Sequence, residues 1–157
     1  RSAKQHRAMV LREGSGGHFH NMIIDSFAIE ALDTRDEVRS LVAMDKLTFS
    51  HNLISNNGRL GNLATEPEAD DDDFGFQEDV WIQDPTNRNH QLAESGLQPT
   101  VTSTTSPNFR SRGLIRNMEA TRPPKSEFFD ESADYLGAIN PRSSDTWLDG
   151  WTAFPES

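Results

Sequence analysis

The densest concentration of chemically capable side chains lies in residues 66–79, which hold eight acids and no base, including Asp70, Asp71, Asp72 and Asp73 in a row. Hard oxygen ligands at close spacing suit Ca²⁺, which takes six to eight oxygens. Calcium is therefore the cofactor this run would hold, with Asp70, Asp71, Asp72 and Asp73 as its ligands. The run lacks the regular Asp-x-Asp-x-Asp-Gly spacing, and four consecutive aspartates cannot all face one ion. The competing reading is a solvated loop of mutually repelling charges. Three histidines form a second group. His18 and His20 are two apart, so a strand places them on one face, and His51 lies further along. Together they could hold a transition metal, or they could be polar residues along a strand edge. A third group is carboxylates and arginines: Asp25, Asp33, Arg110, Arg112 and Arg116. A glycoside hydrolase needs two carboxylates flanking a bond, and a lyase needs a base beside cations. The residue types are present, but no spacing singles out a pair. No Gly-rich phosphate loop, nucleophile elbow or His-Glu-x-x-His pattern occurs.

Composition narrows the classes. With 157 residues the chain is long enough for one domain with a core. Hydrophobic residues make up only 34%, and Leu, Ile, Val and Phe about a fifth, near the level at which chains stay disordered. Repetitive β architectures tolerate such a composition, because stacking supplies burial that one unit lacks. The net charge of −10 argues against nucleic acid as a partner, since that needs clustered Lys and Arg. There is no cysteine, so disulfides, thiolate nucleophiles and Cys-based zinc sites are excluded. No apolar run approaches the length of a membrane span. The chain opens at Arg1 without Met or an apolar signal segment, as a processed product or a piece of something longer would.

The elements that would position these groups lie mainly in residues 8–57. Ala8-Met9-Val10-Leu11 is a short apolar run ended by the turn cluster Glu13-Gly14-Ser15-Gly16-Gly17. Strands follow at residues 18–27 and 28–33, on Ile and Phe content more than on alternation. Residues 34–39 interrupt as a loop or short helical turn, and residues 46–58 resume. His20-Asn21-Met22-Ile23 matches His51-Asn52-Leu53-Ile54 at a spacing of 31, and Asp25 matches Asn56. Such a period marks a solenoid, in which like residues stack and asparagines form ladders that satisfy their own amides. The alternative is two unrelated strands with a chance match.

From residue 59 to 126 regular structure should be sparse, with short strands at 80–82 and 114–115 and a Ser/Thr/Pro stretch between. The chain closes with Phe128-Phe129-Asp130, Asp134-Tyr135-Leu136-Gly137-Ala138 and Trp147-Leu148-Asp149-Gly150-Trp151-Thr152. Large rings bury the most area per residue, so residues 127–157 read as an aromatic capping segment. The competing reading is an exposed docking tag with its rings in solvent.

Arg12-Glu13-Gly14-Ser15-Gly16-Gly17-His18-Phe19-His20-Asn21 resembles the R-x-G-x-G-G-x-F-x-N opening of a late coil in a family of large secreted bacterial proteins similar to right-handed parallel β-helices. The ending resembles the same family's FFD-x-x-DYIGA and W-x-x-GWT motifs. The resemblance implies an all-β fold: β-helix end coils over residues 1–58, an irregular acidic and Ser/Thr/Pro-rich wrap over 59–126, and the aromatic seal over 127–157. It further implies coils upstream of residue 1, an exported surface or matrix location, and no reaction. The expected function is that of a non-enzymatic structural or interaction protein. Its partner would be another protein chain or the preceding part of its own precursor. The alternatives are a carbohydrate-active β-helix enzyme and a Ca²⁺-dependent glycan-binding module, either of which would bring polysaccharide as a partner.

Overall fold

The computed structural model describes residues 7–61, 73–97 and 109–148. The chain divides into two compact units, Arg1–Ser95 and Gly96–Ser157. In the first unit the elements are β1 (Arg7–Leu11), β2 (Gly17–His20), β3 (Ile23–Asp25), β4 (Glu30–Thr34), α1 (Val38–Ala43), β5 (Leu47–Ser50), β6 (Leu53–Ser55), α2 (Glu78–Gln83) and β7 (His90–Leu92). The unit is mostly strand, as expected, and every pairing is parallel. The strands form three short sheets in the orders β1-β4, β2-β5 and β3-β6-β7. Arg7 lies opposite Glu30, Gly17 opposite Leu47, Ile23 opposite Leu53, and Leu53 opposite His90.

The offset between β2 and β5, and between β3 and β6, is one residue shorter than the His-Asn match predicts. His20 faces Ser50 and Ile24 faces Ile54. The reason is that a slip of one residue turns every side chain to the opposite face. Only the observed register sets Phe19 beside Phe49 and Ile24 beside Ile54, so that Phe49 and both isoleucines enter the core. The core also holds Leu11, Ala31, Leu32, Val38, Leu47 and Ile82.

Bends between strands carry residues in the left-handed region: Asn21 (φ 59°), Ser26 (φ 66°), His51 (φ 54°), Asn56 (φ 51°) and Arg88 (φ 51°). This conformation is costly for most L-residues and easiest for Asn. At such a bend two adjacent segments cannot keep their regular backbone pairing, and asparagine side chains replace it. Asn52 accepts from Met22 N–H at 2.9 Å and donates to the Phe19 carbonyl at 3.1 Å. Asn57 does the same with Phe27 N–H (2.9 Å) and the Ile24 carbonyl (3.1 Å). Asn89 repeats it with Asn52 N–H (3.0 Å) and the Phe49 carbonyl (2.9 Å). The expected ladders of amide on amide are thus amide-on-backbone clamps, each reaching to a strand earlier in the sequence.

The interruption at residues 34–39 resolves into a turn leading to α1, within what sequence allows. The strand expected at 80–82 is instead part of α2. Glu78 and Asp79 in its first turn suit the positive end of a helix, and the helix lets Ile82 reach the core while Trp81 packs on Phe49 and Phe76, at 6.2 and 5.5 Å between ring centres. The β propensity of Val-Trp-Ile yields to this packing. A 3-10 turn at Pro85–Asn87 then delivers β7, a strand the polar sequence His90-Gln91-Leu92 does not announce.

In the second unit, a 3-10 turn at Gly113–Asn117 replaces the strand expected at 114–115, burying Ile115 and leaving Leu114 exposed. The aromatic seal is not what the described residues form. Phe128 is 88% exposed and Trp147 54%, whereas Leu136 and Ile139 are buried. The cause is tight local turning. Asp130 Oδ1 accepts from Ser132 N–H, and Asn140 Oδ1 from Arg142 N–H, each at 2.9 Å. These side-chain turns bring the aliphatic residues inward, while Phe128 and Phe129 pack edge-to-face on each other, 5.0 Å apart. Trp147 donates its indole N–H to the Ala138 carbonyl at 2.7 Å. Trp151 lies outside the described residues.

Candidate functional site

Of the acidic run, Asp70, Asp71 and Asp72 lie outside the described residues. Asp73 is fully buried, and its Oδ1 accepts from Phe76 N–H at 3.0 Å. Among the described residues no three His, Asp or Glu side chains converge as a metal-ligand set.

The histidines do come together, but through hydroxyls. The pairing of β2 with β5 sets His18 beside Thr48 and His20 beside Ser50. His18 Nδ1 lies 2.9 Å from Thr48 Oγ1, and His20 Nδ1 lies 2.8 Å from Ser50 Oγ. Ser50 Oγ is also 3.1 Å from His51 Nδ1. One hydroxyl carries one proton, so Ser50 donates to at most one of these rings, and the imidazole tautomers set the roles. The His18 and His20 rings lie parallel with centres 6.2 Å apart. His51 does not stack over His20; it occupies the following bend.

The carboxylates considered for hydrolysis are engaged elsewhere. Asp33 is buried and paired with Arg7 (3.3 Å) and Arg35 (2.9 Å). Its neighbour Glu30, also buried, is held between Arg7 and Arg59, the latter at 2.8 Å. Asp25 accepts from Ser95 Oγ at 2.7 Å. In the second unit Arg110 donates to the Ser143 and Ser144 carbonyls, fastening backbone within that unit.

The group that sequence reasoning missed is Glu78. It is fully buried on the inner side of α2. Its Oε1 accepts from both Thr34 N–H (2.9 Å) and Thr34 Oγ1–H (2.6 Å), while Oε2 is buried without a hydrogen-bond partner. Burial pushes its carboxyl above the usual glutamate range, against the Thr34 bonds that lower it, and the nearby Asp33 charge adds to the rise. The approach is close: a Cβ on Gly61 would fall 2.3 Å from the Glu78 Cβ, so only glycine fits there. The signal was present, since Glu78 lies four residues before Ile82, on the same helical face. It was masked by its membership in an acidic run that reads as solvated.

A cavity of about 340 Å³ opens beside β6 and β7, with Ile54, Leu60 and Leu92 as apolar wall and Asn56, Asn57 and Gln91 as polar wall. No helix among the described residues is long and apolar enough to cross a membrane. No protein-family model, no curated protein and no solved structure matches this chain.

Proposed function

We propose that residues 7–92 are end coils of a right-handed parallel β-helix, and that the protein is a non-enzymatic structural or interaction component of the cell surface or an extracellular matrix. It works by stacking on another protein chain or on a preceding part of its own precursor. One observation carries this reading. Among the described residues β1, β2 and β3 each pair on one side only, with β4, β5 and β6. Hydrogen bonding along a parallel strand alternates sides. Gly17 N–H bonds the Lys46 carbonyl, and the Met22 carbonyl accepts from Leu53. The backbone groups of His18, His20, Ile23 and Asp25 consequently point the other way. Three adjoining strand edges facing one direction form a template for further parallel strands.

The side chains support the same reading. Asn52, Asn57 and Asn89 clamp backbone, the buried Glu30 and Asp33 pair with arginines, and the histidines bond hydroxyls. The acidic run, as a Ca²⁺ site, would brace the assembly and not a reaction.

Sedimentation and thermal unfolding of the 157-residue chain test the proposal. Association or loss of a cooperative transition is expected, because the open edges need a cover. A stable monomer with one cooperative transition overturns it. A screen on acidic polysaccharides, with a glycan array run with and without EDTA, is expected to be blank. Turnover abolished by Asp25→Asn or Arg110→Ala would establish the enzymatic alternative, and chelator-sensitive glycan binding the third.

A further inference from the structure

Glu78 stands at the head of a continuous strap. α2 carries Ile82 into the core and Trp81 onto Phe49 and Phe76. The Asn87 side chain donates to the Trp81 carbonyl at 2.6 Å, and the Asn87 carbonyl accepts from His51 N–H at 2.9 Å. Asn89 donates to the Ile82 carbonyl at 3.0 Å as well as to Phe49, and β7 follows directly. Whatever loosens α2 therefore acts on Asn89 and on the pairing of β7 with β6.

The contacts that hold the head of the strap are specific. Glu78 meets Thr34 of β4 through one oxygen and packs against Gly61. Its other oxygen is buried with no donor. A neutral carboxyl can place its proton on that oxygen, whereas an ionised one holds an unsolvated negative charge there. Among the described residues no cation pairs with it. From β4, Asp33 faces Glu78 with like charge and is itself paired with Arg7 and Arg35. Glu30, also of β4, pairs with Arg7 and with Arg59, which precedes Gly61. On α2 itself Asp79 Oδ1 accepts from Val80 N–H and adds only negative charge.

We infer that α2 is a proton-controlled strap, closed on β4 while Glu78 is neutral and loosened, together with β7, when Glu78 ionises. The sign follows from linkage. In the open strap Glu78 meets water and titrates in the ordinary glutamate range, whereas in the closed strap burial holds it higher. Closed strap thus binds the proton more tightly than open strap. Closure is strongest in mild acid and weakens as pH rises from the ordinary range through the raised one.

Amide hydrogen exchange of the full 157-residue chain between pH 5 and 8, corrected for intrinsic rates, tests this. Protection at residues 80–83 and 90–92 is expected to fall with pH, by at most tenfold per unit for a single proton. Glu78→Gln, which keeps an oxygen for Thr34 and cannot ionise, should abolish the fall. Thr34→Val removes one bond that lowers the carboxyl and should extend the fall to higher pH. Wild-type protection that does not change with pH overturns the inference, as does an equal fall in Glu78→Gln. Should Glu78→Gln fail to fold, a fall in Thr34→Val that covers the same pH range as wild type overturns it alone. A Glu78 carboxyl carbon titrating in the ordinary glutamate range would do so as well.

Discussion

Asn52→Ala isolates the clamp on which the stacking of strands depends. Asn52 is wholly buried and serves two backbone groups at once, Met22 N–H at 2.9 Å and the Phe19 carbonyl at 3.1 Å. Truncation strands both. A buried polar group deprived of its partner costs about 1–3 kcal/mol. Met22 and Phe19 are only half-buried, so water recovers part of each loss, and the lower half of that range applies. Over the two groups the expected destabilisation is about 2–4 kcal/mol, a large share of a domain total of about 5–15 kcal/mol. Asn56→Ala is the matched control. Its amide is exposed and reaches only the Ser26 hydroxyl, so the lost contact should cost within about 0.5 kcal/mol, and alanine at φ 51° adds about 1 kcal/mol of backbone strain. Asn52→Asp keeps the acceptor for Met22 but sets a carboxylate against the Phe19 carbonyl, and at neutral pH it should fare worse than alanine. Urea unfolding followed by circular dichroism reads the difference as a shift in midpoint at constant slope. If Asn52→Ala and Asn56→Ala shift the midpoint equally, the amide clamps contribute nothing and the reasoning fails.

Gly61→Ala should push α2 off its seat, because the added Cβ meets Glu78 Cβ at 2.3 Å; a cost of about 1–3 kcal/mol and loss of the Trp81 near-ultraviolet signal are expected. In the second unit Leu136→Ala should cost about 2–3 kcal/mol, while Trp147→Ala, half-exposed with one hydrogen bond, should cost less than about 1 kcal/mol; thermal melts that reverse this order would restore the aromatic seal. Asp134 titrates below the usual aspartate range, first because Arg142 bonds it. Its contribution is present above the ordinary value and lost as pH falls through the lowered one, and Arg142→Ala should move its carbon-13 titration upward.

The strand-rich character of residues 8–57 was legible because Ile and Phe cluster there and Gly and Asp punctuate them. The register was misread because the eye follows identical letters, and His20-Asn21 and His51-Asn52 are not equivalent. Asn21 bends the chain where His51 does, and Asn52 stands opposite Met22. Pairing obeyed the buried Phe49, Ile24 and Ile54 instead. α2 and β7 were hidden for a related reason: each owes its conformation to residues far away in sequence, Thr34 for the helix and Leu53 for the strand. Of the site, the histidines were foreseen as a group but not their hydroxyl partners, Thr48 and Ser50. Glu78 could not be told from its acidic neighbours until Gly61 and Thr34 were brought beside it. Ring content alone misjudged the ending, since turns set by Asp130 and Asn140 decide which side chains point inward.

The asparagine clamps all point the same way along the chain. Asn52 and Asn57 fasten bends made thirty residues earlier, and Asn89 fastens the bend at Asn52 in turn. A chain emerging from its N-terminus therefore lays down each bend unfastened, and the next length to arrive brings the fastener with it. Growth and fixing proceed in one direction, like courses of tile in which each row pins the one below. Cutting residues away from the C-terminal side unpins what remains, whereas cutting from the N-terminal side leaves amides idle but every surviving bend held.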